Sequence, residues 1–245
     1  MTARSALLAA VTLFAALSAC DRSDPPSDRI ERAAEQLVSD AEGETLPARP
    51  TGPFAPRDEC RDQPGGGAFL ASLLDAVATR EADDLLALSS EDIRLDFGGG
   101  NGAAELRDRL AADDGALWDE LAEIVAMGCA SDGATMTMPW YFAQGLPVDP
   151  YGGMIVTGEE VPLLDEPSAD APVLASLSWE AVELTGSPET DVAGGFTRVS
   201  WAQGAAGQTL VGFVESDRLR PYIDYRLIAS RRNGSWHLTA FIAGD

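Results

Sequence analysis

The 245-residue chain is long enough to bury a real core and has room for one or two domains. Its 40 acidic against 17 basic residues leave a formal charge of -23, which repels a phosphate backbone and argues against nucleic acid as a partner. The sequence contains no lysine, so Walker-type phosphate loops, Schiff-base lysines and Ser-Lys nucleophiles are excluded.

Arg4 heads an apolar stretch, 6–16, too short to cross a bilayer of roughly 30 Å as a helix. The stretch closes on Leu17-Ser18-Ala19-Cys20 and a hydrophilic chain follows at once. That quartet resembles the lipobox of bacterial lipoproteins, in which the cysteine thiol is acylated and becomes the mature N-terminus. The resemblance implies a signal peptide over 1–19, lipidation of Cys20 with palmitate-type chains, and a protein held on a membrane. Each buried methylene contributes about 0.8 kcal/mol to such anchoring. An ordinary secretory signal that contains a cysteine is the other reading. Asp21 resembles the signal that retains lipoproteins in the inner membrane, so the expected location is the periplasmic face of the cell membrane.

Residues 20–59 have tether composition, with "DPPSD" near one end and "LPARPTGPFAP" near the other. Within them 27–41 has the pattern of a short helix, with Ser27 as N-cap and Ile30, Ala34, Leu37 and Ala41 on one stripe. Export makes a disulfide the default for Cys60 and Cys129, the cysteines left after lipidation. A catalytic thiol would need His237, the one histidine of the chain.

Residues 60–150 read as the first part of an α+β domain. Helical spacing begins at Ala68 through Phe69, Leu70, Leu73, Leu74 and Val77, and continues past a polar break through Leu85, Leu86 and Leu88. Ile93, Leu95 and Phe97 alternate with Arg94 and Asp96 as a short half-buried strand, ended by "GGGNG" at 98–102. Two more helical patterns cover 103–112 and 116–127. The glycine run is either an anion-binding loop or a plain strand-to-helix turn. With no lysine and with Asp96 just ahead, the turn is the expectation. Trp140, Tyr141 and Phe142 then form either a buried strand or, with Trp201, a binding surface.

Over 151–221, short period-2 runs are separated by Pro, Gly and Ser, as in a small antiparallel barrel. The turn Asp165-Glu166-Pro167-Ser168, the runs at Val173, Leu174 and Leu177 and at Val182 and Leu184, the stretch 196–199, and Gly212-Phe213-Val214 together resemble a bacterial SH3-like domain. The family's arginine-glycine-proline-serine turn lacks its arginine and glycine here, and the loop at 186–195 is long. The resemblance implies a small barrel, not its peptidoglycan-binding groove.

Residues 222–245 carry Asn233-Gly234, a two-residue hairpin signal. Counting outward, Arg231 faces Trp236, Ala229 faces Leu238, Leu227 faces Ala240 and Tyr225 faces Ile242. The hairpin needs more strands for stability, so the expected fold is α+β: an N-terminal helical part and an antiparallel sheet built from both flanks, with the SH3-like barrel inserted or tightly packed. Helices followed by this hairpin resemble the nuclear-transport-factor-2-like fold. With one histidine, neither a zinc amidase nor a Cys-His peptidase can be assembled in the usual way, so no metal and no cofactor is expected. The functional expectation is a non-enzymatic binding or scaffolding lipoprotein whose partner is peptidoglycan stem peptide or an envelope protein. The alternative is an envelope carboxylate-dependent hydrolase in the α+β part, which requires facing acids and a raised pKa.

Overall fold

The computed structural model describes residues 49–112, 114–186, 192–202 and 207–244. The expected signal peptide over 1–19, Cys20, the 27–41 helix pattern and part of the 186–195 loop lie outside them. Among the described residues no helix is long and apolar enough to cross a membrane.

Helical periodicity becomes α1 (Gly66–Thr79) and α2 (Ala82–Ala87), then α3 (Ala103–Ala112) and α4 (Ala116–Ala126). Phe69, Leu70, Leu73 and Val77 of α1 are buried, as their spacing requires, whereas Leu74 falls at the rim of the stripe and is exposed. Strand β1 (Ser89–Arg94) starts and ends earlier than the alternation suggests. Ile93 and Leu95 are buried, but Phe97 is out in solvent because the chain has already turned. The turn is the glycine run. The Leu95 N–H donates to the Gly100 carbonyl and the Gly102 N–H to that of Ile93, while Asp96 accepts from the Gly100 N–H at 2.8 Å. A carboxylate of the chain thus sits where an anion would, and Arg109 of α3 pairs with it.

β2 (Ala130–Ser131) and β3 (Thr135–Met138) follow, then a 3-10 turn, Trp140–Ala143, in place of the expected strand. The second half of the chain supplies β4 (Gly153–Val156), β5 (Val161–Leu164), β6 (Val173–Leu177), β7 (Ala181–Leu184), β8 (Val192–Ala193), β9 (Phe196–Ala202), β10 (Thr209–Glu215) and β11 (Leu219–Pro221). The closing hairpin is β12 (Arg226–Arg232) and β13 (Ser235–Ile242).

Two sheets result, giving an α+β fold. The first runs β1-β13-β12-β3-β2 and is antiparallel except for the β1–β13 pair. Its inner face, with Ile93, Leu227, Ala229, Leu238 and Phe241, packs on Phe69, Leu73, Leu121 and Ile124 of the helices. The second runs β11-β4-β7-β9-β10-β5-β6, with β8 paired to β9, and encloses a core of Val156, Leu163, Leu177, Val182, Val199 and Val214. In sequence all of its strands fall between β3 and β12, which are neighbours in the first sheet. Among the described residues the second sheet does not close into the expected barrel: β11 and β6 end the path without meeting.

The hairpin turn has Asn233 and Gly234 both at positive φ, 53° and 89°, the geometry of a type I′ turn. Arg231 faces Trp236 and Ala229 faces Leu238, but beyond them the register differs from the counted one. Thr239 is a bulge, so Leu227 faces Phe241 and Arg226 faces Ile242. The Thr239 hydroxyl bonds the Ile228 carbonyl at 3.3 Å, and the shift lets Ala240, Phe241 and Ile242 all be buried in succession.

Residues 54–59, tether by composition, are packed against the domain. The Phe54 N–H donates to the Trp179 carbonyl, the Glu59 N–H to that of Cys129, and the Cys129 N–H to that of Arg57. Cys60 and Cys129 lie at disulfide distance, Cα–Cα 5.8 Å, and fasten this strap in front of α1 to the end of α4.

Candidate functional site

Of the four aromatic residues expected to form a binding surface, Trp140, Tyr141 and Phe142 share one cluster and Trp201 lies in another. Trp140 and Tyr141 are buried, in an apolar cluster with Met127, Ala130, Leu146, Ile155 of β4 and Ala181 of β7. The Trp140 indole N–H donates to Glu59 at 2.9 Å, and the Arg57 guanidinium stacks 4.4 Å from its ring. Phe142 is half-buried between the Tyr222 ring and the Arg226 guanidinium. Trp201 is half-buried on β9, its N–H directed to Glu180 at 3.3 Å. Aromatic side chains are favoured in cores and recognition surfaces alike, and here the Trp140–Phe142 cluster packs the two sheets together while Trp201 packs on the core of the second.

His237 is half-buried on β13 opposite Ser230, beside a shallow surface hollow lined by Ser89, Ser90, Glu91 and Asp92. No group of three or more His, Cys, Asp or Glu placed to hold a metal occurs among the described residues.

The most chemically loaded place is a cleft of about 410 Å³ where α4 meets β11. Glu120 and Glu123 are three residues apart on α4 and so share a face. Opposite them Arg220 projects from β11 with its side chain only 6% exposed. It bonds Glu120, donates to Glu123 at 3.1 Å, reaches Asp224 at 3.4 Å, and donates to the Tyr225 carbonyl at 3.3 Å. Its Nε–H is buried without a partner. Trp179, Thr157 and Asp217 also line the cleft.

The electrostatics follow from burial. Desolvation raises the Glu120 carboxyl above the usual range; the Arg220 hydrogen bond pulls it down, while Asp224 and Glu123 push it up again. Burial opposes the charge on Arg220, yet the Glu120 hydrogen bond and the surrounding negative groups keep the guanidinium firmly protonated. Tyr141, beneath the cluster, is pushed up to about 12 by burial and stays a phenol.

A carboxyl with a raised pKa next to other acids is what acid–base catalysis uses. Here the guanidinium lies between the acids and bonds three of them, so the arrangement is first a clamp between α4 and the second sheet. The Glu120 and Glu123 spacing is visible in the sequence. Their partner, 100 residues away from Glu120, is not.

No family model and no curated protein matches the chain. One solved structure aligns, titled as an Rd1NTF2 variant: it is 10% identical, the alignment covers 73% of this chain and 95% of that one, and the TM-score is 0.24. A score that low supports no statement about this chain.

Proposed function

We propose that the protein is a lipid-anchored envelope lipoprotein that works as a non-enzymatic binding module, with its SH3-like half meeting peptidoglycan stem peptide or an envelope protein. The observation that carries this reading is the segment with the SH3-like motifs: it folds as one contiguous antiparallel sheet with its own core, β4 to β11. The lipobox-like Leu17-Ser18-Ala19-Cys20 supplies the anchor, and the Cys60–Cys129 pair suits an oxidising compartment. Arg220 supports binding over catalysis, because it occupies the place where a hydrolase would need two unencumbered acids.

The second reading, a carboxylate-dependent hydrolase, is favoured by the raised Glu120 carboxyl. One experiment separates the two. Detergent-solubilised native protein and its Glu120→Gln variant are each incubated with purified sacculi, and both sedimentation and release of soluble fragments are measured. Equal behaviour of the two proteins without fragment release is expected, with saturable co-sedimentation for a stem-peptide ligand and none for a protein partner. Fragment release that Glu120→Gln abolishes would establish the hydrolase instead.

A further inference from the structure

The geometry points to the outer edge of β6 as a docking site for an extended, cationic segment of a partner protein, added to the second sheet as a further strand. This rests on the binding-module reading and names its surface and partner chemistry.

β6 is bonded on one side only. Leu177, Ser176, Ala175 and Val173 pair with Val161, Pro162, Leu163 and Leu164 of β5, and among the described residues no strand lies on the other side. Sheet edges are ordinarily blunted by shortness, proline, charge or cover, since their free N–H and C=O groups template pairing. The other described edges are blunted in those ways. β11 has three residues, ends on Pro221 and lies under α4 through Arg220; β2 has two residues; β1 carries Glu91, Asp92 and Arg94. β6 reads Val-Leu-Ala-Ser-Leu, with neither charge nor proline, and its bulge touches only its first residues. Val173 is 62% and Leu174 41% exposed, apolar surface that an added strand would cover.

Charge selects the occupant. Residues 157–180 contain six acids and no base. Asp165, Glu166 and Asp170 stand exposed in the turn that leads into β6. That turn is shaped by the Asp165 N–H to the Pro172 carbonyl and the Asp170 N–H to the Ser168 hydroxyl, and among the described residues none of the three carboxylates is in an ion pair. The far end is acidic as well: Glu160 and Glu180 flank it, and Glu159 is held ionised by the Thr51 N–H and hydroxyl, with the base Arg218 near Gly158. A second copy of the chain fits poorly: pairing β6 with β6 in either direction brings acidic ends together. A segment with apolar residues in its middle and arginine or lysine at its ends meets both requirements.

The test titrates full-length, lipidated, detergent-solubilised protein with two synthetic peptides of alternating threonine and valine, one ending in arginines and one in glutamates. Hydrogen exchange is followed at residues 173–177. The arginine-ended peptide should protect these amides and the glutamate-ended one should not. The double substitution Glu166→Arg with Asp170→Arg, at exposed positions, should weaken binding about tenfold and leave thermal unfolding unchanged. Protection confined to another surface, equal binding of the two peptides, or self-association through β6 without peptide binding would each overturn the inference. Co-sedimentation with sacculi while β6 stays unprotected sinks the docking site and leaves the binding-module reading intact. Fragment release abolished by Glu120→Gln sinks that reading instead.

Discussion

One guanidinium, that of Arg220, answers Glu120, Glu123 and Asp224 at the place where helix α4 and strand β11 meet. Removing it strands Glu120, whose side chain is only 21% exposed, without its counter-charge. Breaking a buried pair from one side typically costs 3–5 kcal/mol, and because Glu123 is largely exposed the loss in Arg220→Met should be near the lower end, about 3 kcal/mol. Adding Glu120→Gln to that variant should restore part of it, which denaturant unfolding of the single and double variants would show. Glu120 also sets a pH dependence. Its folded pKa is raised above 4.5, so between that value and the raised one the folded state holds more protons than the unfolded. Stability contributed by Glu120 therefore falls as pH rises through that window, and Glu120→Gln should lack the fall. Urea unfolding of both proteins from about pH 4 to 7 measures it. At this scale the sequence was legible where the physics is local. Asn233-Gly234 declares its turn because both residues tolerate positive φ. Trp140 and Tyr141 do not declare whether they face solvent or core, and Arg220 finds its acids only through tertiary packing.

The elements show the same division. Helix spacing foretells α3 and α4 nearly to the residue and marks 68–88 as helical without deciding between two helices and one kinked helix, whereas β1 ends before Phe97 and β13 carries a bulge at Thr239 that no count of alternation reveals. Gly212, in the middle of β10, has an element-scale reason: a Cβ there would lie 2.5 Å from the Leu164 carbonyl oxygen, a backbone atom of β5. Among the described residues only Phe213 and Leu164 pair β10 to β5, so this close approach holds the β5–β6 end of the sheet in place. Gly212→Ala should cost roughly 1–3 kcal/mol by forcing the strands apart. Hydrogen exchange should rise at β5 and β6 before it rises in the first sheet, and uniform loosening of both sheets would refute the assignment.

For the whole molecule, covalent closure and sheet topology work together. The Cys60–Cys129 bond spans 69 residues of sequence and ties the strap before α1 to the end of α4. In the chain-entropy model a loop of this length is stabilised by about 4 kcal/mol, and reduction should lower the stability measured by chemical unfolding by that order. The cysteine pairing was readable from the cysteine count and the expectation of export, and the α+β class from the switch between helical and alternating periods. The open path of the second sheet was not, because closure depends on how far its end strands diverge. The central claim is that this fold, held at a membrane by its N-terminus, binds a partner and does not turn one over. Photo-crosslinking in intact cells, with a photoreactive residue in place of exposed Ser176 on β6, tests it most directly. The account predicts one discrete adduct of higher mass that persists in Glu120→Gln and is lost in Cys20→Ala. No adduct in the anchored protein, or the same adduct from the unanchored Cys20→Ala form, would contradict it.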